Sequence, residues 1–218
     1  MDTKRKIIAL ATKQFNQKGF GAVSLQELAQ IVGISRGNLT YHFKSKDLLL
    51  EAIANQMWAQ LEQERSKTLS FPSFENLHHQ VQMYYQFQKT YAFIFLDTHV
   101  LNHPKIKKRF RALTEQTIND NKAKLAYAIQ TGNLQAEPFP GVYDSIAHTA
   151  WMLTFYWHSQ QIVRGEEVGT DGEKMIWSMI RPYLTDKGLA AFKTFFGESY
   201  FNALGETFDP NLNQLIAF

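Results

Sequence analysis

The sequence predicts an all-α fold, and three features predict it. Apolar residues recur at three- and four-residue spacing from one end of the chain to the other. No segment alternates apolar and polar residues as a half-buried strand does. Glycine and proline gather between the periodic stretches. The expected architecture is three short helices, one long connector and a larger helical body, without internal repeats.

The first stripe is Ile7, Ile8, Ala11 and Phe15, and Lys18-Gly19 ends it. Ser24-Leu25-Gln26-Glu27 reads as a capping box: the Ser24 hydroxyl accepts from the Glu27 amide, and the Glu27 carboxylate accepts from the Ser24 amide. Leu25, Leu28, Ala29 and Val32 supply the buried face of this second helix. Gly33 ends it, as a residue free to adopt positive φ does. Ser35 is a good N-cap for a short third helix reaching about His42. Ser45 caps the fourth, which has Asp47 in its first turn and Leu48, Leu49, Ile53 and Met57 inward. That helix runs to about Arg65, and its roughly 21 residues span about 30 Å. Leu69 to Ser73, with Pro72, is a linker. Further helices are expected at about 74–102, broken near Lys89-Thr90, then at 105–131, 142–164 and 172–204, broken near Thr185. Pro104, Gly132 to Gly141, and Gly165 to Gly172 separate them.

Composition narrows the function. With 44% apolar and 20% charged residues the chain has an ordinary globular balance, which excludes global disorder. Zero cysteines exclude a disulfide framework, a thiolate zinc site and a Cys nucleophile, in keeping with a cytoplasmic setting. The polar start MDTKRK has no apolar run after it, so no secretory signal is expected. Tyr91 to Leu96 and Trp151 to Trp157 fall far short of the roughly 20 residues a membrane span needs. No GxSxG, HExxH or P-loop pattern occurs, and no enzyme is expected. His99 and His103 stand four apart, as a metal pair would. The helix break at Pro104 and the lack of a carboxylate or Cys partner argue against a metal site, and no cofactor is expected.

Charge is unevenly placed. Residues 1–46 carry eight basic and two acidic side chains, a net of +6 in a chain whose total is +3. A basic N-terminal quarter on an acidic body fits a polyanionic partner for the first part only.

A helix, a three-residue turn holding glycine and a second short helix form the helix-turn-helix plan. Its second helix is short because one face packs while the other enters the major groove. On a helical wheel Leu39 points inward. Gly37 and Tyr41 lie nearly opposite, with Arg36, Asn38 and Thr40 on the flanks. Arg36 can donate twice to guanine O6 and N7, Asn38 can pair with adenine, and Thr40 can touch a thymine methyl. Tyr41 offers a hydroxyl to phosphate. Gly37 costs about 1 kcal/mol in a helix relative to Ala, but lets the backbone approach DNA closely. Ser24 and Lys46 stand at helix N-termini, where amides favour a phosphate. Ser24 and Ser35 also have the simpler role of caps, and His42 that of a packing residue.

The segment from Ile8 through Phe15, Gly19-Phe20, Val23-Ser24-Leu25, Leu28-Ala29 and Gly33-Ile34-Ser35-Arg36-Gly37-Asn38-Leu39-Thr40-Tyr41-His42-Phe43-Lys44-Ser45-Lys46-Asp47-Leu48-Leu49 resembles the DNA-binding region of the TetR family of bacterial transcriptional regulators. The resemblance covers about the first 50 residues. It departs at Thr40, where the family often has an aromatic, and at Gln26, where some members have a basic contact residue. It implies phosphate contacts at Ser24, Tyr41, His42 and Lys46, base contacts within 36–40, and a homodimer. It also implies a body that pairs through its last long helices and encloses a ligand cavity.

The division expected is a DNA-binding domain at 1–46 and a ligand-binding and dimerisation domain at 47–218, with the connector helix at about 45–65. Tyr84, Phe87, Tyr91, Phe95, Trp151 and Phe155 are candidates to line an apolar, aromatic cavity. Asp97 and Glu115 are candidates to meet a cationic group there. Ile146, Ala150, Leu153 and Trp157 form one candidate pairing stripe, and Ile176, Ile180 and Tyr183 another. Residues 186–218 either cover the body or extend the dimer contact. The resulting expectation is a homodimeric, ligand-responsive repressor with a palindromic duplex DNA operator and a small hydrophobic or aromatic effector. Its rivals are a regulator of this fold without a small ligand, and a helical hydrophobe-binding protein that no longer reads DNA.

Overall fold

The computed structural model describes residues 2–68, 72–165 and 171–205. The predicted linker at 69–73, the loop 165–172 and the tail beyond 205 lie wholly or partly outside that set. The described residues are helical throughout, and Leu134 and Leu184 form an isolated bridge. In order come α1 (Thr3–Lys18), α2 (Leu25–Val32), α3 (Arg36–His42), α4 (Lys46–Thr68), α5 (Phe74–Thr90), α6 (Ala92–Leu96) and α7 (Thr98–Asn102). After these come α8 (Pro104–Gln130), α9 (Val142–Arg164), α10 (Asp171–Ile180), α11 (Asp186–Phe196) and α12 (Glu198–Asn202), with 3-10 turns at Arg181–Tyr183 and Ala203–Gly205.

The stretch expected at 74–102, with a break near Lys89-Thr90, is three helices, broken there and once more at Asp97. The chain leaves helical geometry at Tyr91 and again at Asp97. Asn16 of α1 serves the backbone freed at the first break: it donates to the Thr90 carbonyl (2.9 Å) and accepts from the Phe93 amide (3.1 Å). The Asp97 side chain caps α7 by accepting from the amides of His99 and Val100. The stretch expected at 172–204 is interrupted by the 3-10 turn at Pro182 and by Gly197, whose φ is 86°.

Two compact units result. One comprises residues 1–67 and 86–112, the other 68–85 and 113–218. The first of these extends past the boundary expected at residue 46 and packs α4, α6, α7 and the start of α8 with the N-terminal helices. The cause is apolar cover. Phe15 of α1 meets Phe93 with ring centroids 5.2 Å apart, and Trp58 of α4 meets Phe110 of α8 at 4.8 Å. A wheel identifies the buried faces of α1 and α4 but not the segment that buries them.

The second unit has one core around Leu125, Leu134, Tyr143 and Ile146 and another around Trp177, Phe192, Phe201 and Leu204, with Phe74 and Phe196 against the latter. Helices α11 and α12 thus cover this unit. Glu173 is only 2% exposed, yet its carboxylate is fully engaged. His78 Nδ1 lies 2.8 Å from it and Gln82 Nε2 2.8 Å, so two side chains of α5 meet one buried carboxyl of α10, to which Trp177 Nε1 of the same helix also donates (3.1 Å).

The start of α11 docks on the end of α8. The Thr185 hydroxyl donates to the Gly132 carbonyl (2.7 Å), the Thr185 amide to Asn133 (3.1 Å) and Lys187 Nζ to Thr131 (2.6 Å). These bonds satisfy carbonyls that a helix end leaves unpaired. Gly188 makes the approach possible, since a Cβ there would stand 2.0 Å from the Asn133 carbonyl oxygen. Gly188→Ala should destabilise the protein by about 1–3 kcal/mol, read as a fall in Tm of several degrees in a thermal melt.

Candidate nucleic-acid interface

The seven residues of α3 show how a very short helix is held. Ser35 Oγ accepts from the Asn38 amide at 3.1 Å, and the Phe43 amide closes the other end on the Leu39 carbonyl. Leu39 is the one buried residue of this helix. Arg36, Gly37, Asn38 and Tyr41 are exposed, Tyr41 at 84%. Thr40 is half-buried and its hydroxyl donates to the Arg36 carbonyl (2.9 Å), which leaves its methyl group as the outward chemistry. His42 is half-buried with its ring edge-on to Tyr41, centroids 5.4 Å apart.

Helix α2 begins as the sequence indicates. The Glu27 amide donates to Ser24 Oγ (3.1 Å), and Ser24 and Gln26 are both exposed. The Glu27 carboxylate accepts from Lys18 Nζ at 2.6 Å. That bond, joined by the attraction of Lys18 and the Ser24 backbone amide, holds the Glu27 carboxyl below its ordinary value. Gly33 ends the helix with φ of 78°, and Lys6 Nζ donates to the Val32 carbonyl there.

Lys46, expected at a phosphate, is held by backbone carbonyls in the free protein. Its ammonium donates to the carbonyls of Phe20 (2.7 Å), Val23 (3.0 Å) and Gly21 (3.3 Å), and lies 4.4 Å from the centre of the Phe20 ring. An ammonium has three protons, and these three acceptors take them. Burial pushes this group below the ordinary lysine value. Lys46 is therefore a clamp on the turn between α1 and α2. The sequence offers no sign of this, because the acceptors are backbone atoms more than twenty residues away.

A cavity of about 400 Å³ lies in the second unit. Its walls include Tyr84, Ile146, Ala150, Ile176 and Ile180, with Thr117 and Asn121 from α8. Two expectations are corrected. Of the six residues predicted for a pocket, only Tyr84 lines it. Phe87 stacks on Tyr91 and Phe95 meets Phe110, all in the first unit, where Tyr91 also donates to Gln60 (2.7 Å). Phe155 packs on Tyr84 at 4.6 Å and Trp151 on Phe155 and Tyr156. Conversely, four residues predicted for pairing, Ile146, Ala150, Ile176 and Ile180, line the cavity. Leu153 and Trp157 are half-buried, and the Trp157 ring crowds Gly172. Cavity and subunit interface demand the same apolar residues, so periodicity cannot tell one from the other. Outward on α9 stand Met152, Tyr156, Ile162 and Val163.

The remaining candidates are dispersed. Asp97 is a helix cap, and Glu115 is exposed. His99 stacks on Phe20, whereas His103 lies 3.8 Å from Glu51. Among the described residues no group of three or more His, Asp or Glu is placed to hold a metal ion, and no helix is long and apolar enough to cross a membrane.

Comparison with known proteins agrees with this anatomy. Residues 7–53 match the family profile described as bacterial regulatory proteins, tetR family, and residues 53–192 match a TetR profile described as bacterial transcriptional repressor. The chain is 23% identical over 140 residues to YhgD, an HTH-type transcriptional regulator of Bacillus subtilis, covering 62% of this chain and 73% of that one. A crystal structure of a TetR-family transcriptional regulator from Marinobacter aquaeolei superposes with a TM-score of 0.79 at 19% identity, covering 96% of this chain and all of the other. The SmeT–triclosan complex has a TM-score of 0.61 at 17% identity, covering 84% and 92%.

Two measurements examine the site. The Cβ of Gly37→Ala enters open space, its nearest neighbour 3.9 Å away. The variant should gain about 0.5–1 kcal/mol in stability from helix propensity while binding duplex DNA less tightly, because the methyl group holds the backbone off the groove. Glu27 bears on pH. Because its folded value is lowered, the parent's advantage over Glu27→Gln should be full above the ordinary carboxylate range and disappear as pH falls through the lowered value. Melting curves of both proteins from pH 7 to pH 3 read this directly.

Proposed function

As the chain belongs to the TetR family of bacterial DNA-binding transcriptional regulators, we propose that it is a ligand-responsive repressor binding a palindromic operator as a homodimer in the cytoplasm. The observation that carries the DNA-reading part is the outward set of α3. Arg36, Gly37, Asn38 and Tyr41 are exposed while Leu39 alone is buried. In this reading Arg36 and Asn38 recognise base edges and the Thr40 methyl meets a thymine. Ser24, Gln26, Tyr41 and His42 position the duplex through its phosphates. Ser35 supports them as the cap of α3, and Lys46 acts only by holding the α1–α2 turn.

The effector reading rests on the cavity. It is within the range of small-molecule sites, and its walls are mostly apolar with a few polar groups. A fold relative in complex with triclosan supports a hydrophobic effector. The pairing reading rests on α9, where Met152, Tyr156 and Val163 lie exposed along one side of the helix. Two copies of α3 about 34 Å apart would enter successive major grooves. An effector that prefers one conformation of the second unit would then shift the dimer population away from that spacing, by no more than its differential affinity.

Selection from a random duplex library at moderate salt tests the central claim. It should yield an inverted repeat, and Arg36→Ala or Asn38→Ala should lose about 1–3 kcal/mol and relax one position of each half-site. A library returned without enrichment would defeat the regulator reading. Tyr156→Glu should sediment as a monomer and lose operator affinity. A panel of hydrophobic compounds including triclosan should raise the parent's Tm, and Ala150→Phe, which fills the cavity, should abolish that rise.

A further inference from the structure

Five of the seven residues from 105 to 111 are basic: Lys105, Lys107, Lys108, Arg109 and Arg111. All five are exposed. Ile106 is buried, and Phe110 packs on Trp58 and Phe95, so the apolar positions anchor this stretch while the cations face outward. Two carboxylates answer five charges: Glu51 pairs with Lys105 at 2.6 Å and Glu62 with Arg109 at 3.2 Å. Lys107 bonds to the neutral Asn102 side chain. Lys108 and Arg111 have no acidic partner among the described residues.

Local stability does not explain this arrangement. The cations occupy the opening turns of α8, where the helix dipole disfavours positive charge, and the first turn has no acidic residue. The stretch also belongs to the unit that carries α3. By sequence that unit has sixteen basic and seven acidic residues, a net of +9, against −6 for the other. Its place is near the proposed phosphate contacts. Lys105 reaches Glu51, five residues into α4 or about 7.5 Å of helix rise from its first residue, and Arg109 reaches Asn55 and Glu62 further along the same helix. His99, just before α8, stacks on Phe20 of the α1–α2 turn. The patch therefore starts beside the first turns of α4, in the unit that carries α3, and continues along α4.

We infer that residues 105–111 form a second polyanion-binding surface, which holds the sugar-phosphate backbone of the same duplex beyond the half-site read by α3. This rests on the regulator reading. Its contribution is independent of sequence and comes from release of counterions. The signal was present in the sequence, where averaging these cations with the acidic body concealed it.

The test uses the full chain, a core duplex that ends at the selected operator, and a duplex extended by one helical turn on each side. Lys107→Gln, Lys108→Gln and Arg111→Gln are combined. A control combines Lys122→Gln, Arg164→Gln and Lys193→Gln, three exposed or half-buried cations of the other unit. Log affinity is measured against log salt for each. On the extended duplex the first variant should lower the slope by about 2, the loss of one phosphate contact per protomer at roughly 0.9 each, so that it loses about 16-fold less affinity than the parent over a fourfold rise in salt. On the core duplex its slope should equal the parent's, and the control should match the parent on both. An unchanged slope on the extended duplex overturns this inference alone, as does an equal change on both duplexes or in the control. A parent with no affinity for any duplex overturns the regulator reading and this one together.

Discussion

Three backbone carbonyls of the turn between α1 and α2 converge on a single ammonium, that of Lys46, and the geometry of the N-terminal unit follows from it. The turn carries Phe20 and Val23, both buried, and leads directly into Ser24 and α2. Helix α2 in turn sets α3 through the Gly33 break. Fixing the turn to the first residue of α4 therefore fixes the angle at which α3 leaves the connector. The cost is removal of a cation from water, which is visible in its lowered proton affinity. Charge-assisted bonds to three carbonyls and the face of Phe20 offset that cost.

Asn16 plays a comparable part at greater range. Its amide bonds at once to the carbonyl of Thr90 and the amide of Phe93, so the kink between α5 and α6 is tied to α1. Straightening α5 into α6 would pair those two groups within the helix and leave the Asn16 side chain without them. The kink is therefore a fixed feature of this unit, held from outside its own helix.

What the sequence discloses about this protein follows from how local each device is. The caps at Ser24, Ser35 and Ser45 and the stop at Gly33 act over three or four residues, and the structure has each of them. The inward Leu39 and its outward neighbours also follow from a wheel. The break at Tyr91 falls next to the one expected near Lys89-Thr90 and is served by Asn16, some seventy-five residues earlier, while the break at Asp97, capped by its own side chain, has neither glycine nor proline to announce it. The bonds of Lys46 to the α1–α2 turn are hidden for the same reason: its acceptors are main-chain atoms, which have no residue signature. Phe87, Tyr91 and Phe95 have the spacing of a shared face only on an unbroken helix, and with the breaks they pack in the first unit instead of lining the cavity of the second.

Helix α9 presents Ile146, Ala150 and Thr154 to the cavity, and Met152, Tyr156 and Val163 to the exterior. At 100° per residue these two sets fall on different sides of the same rod. Neither set contains a residue of the other. The lining of the cavity can thus change by point substitution, one methyl group at a time, while the outer side of the helix keeps its shape.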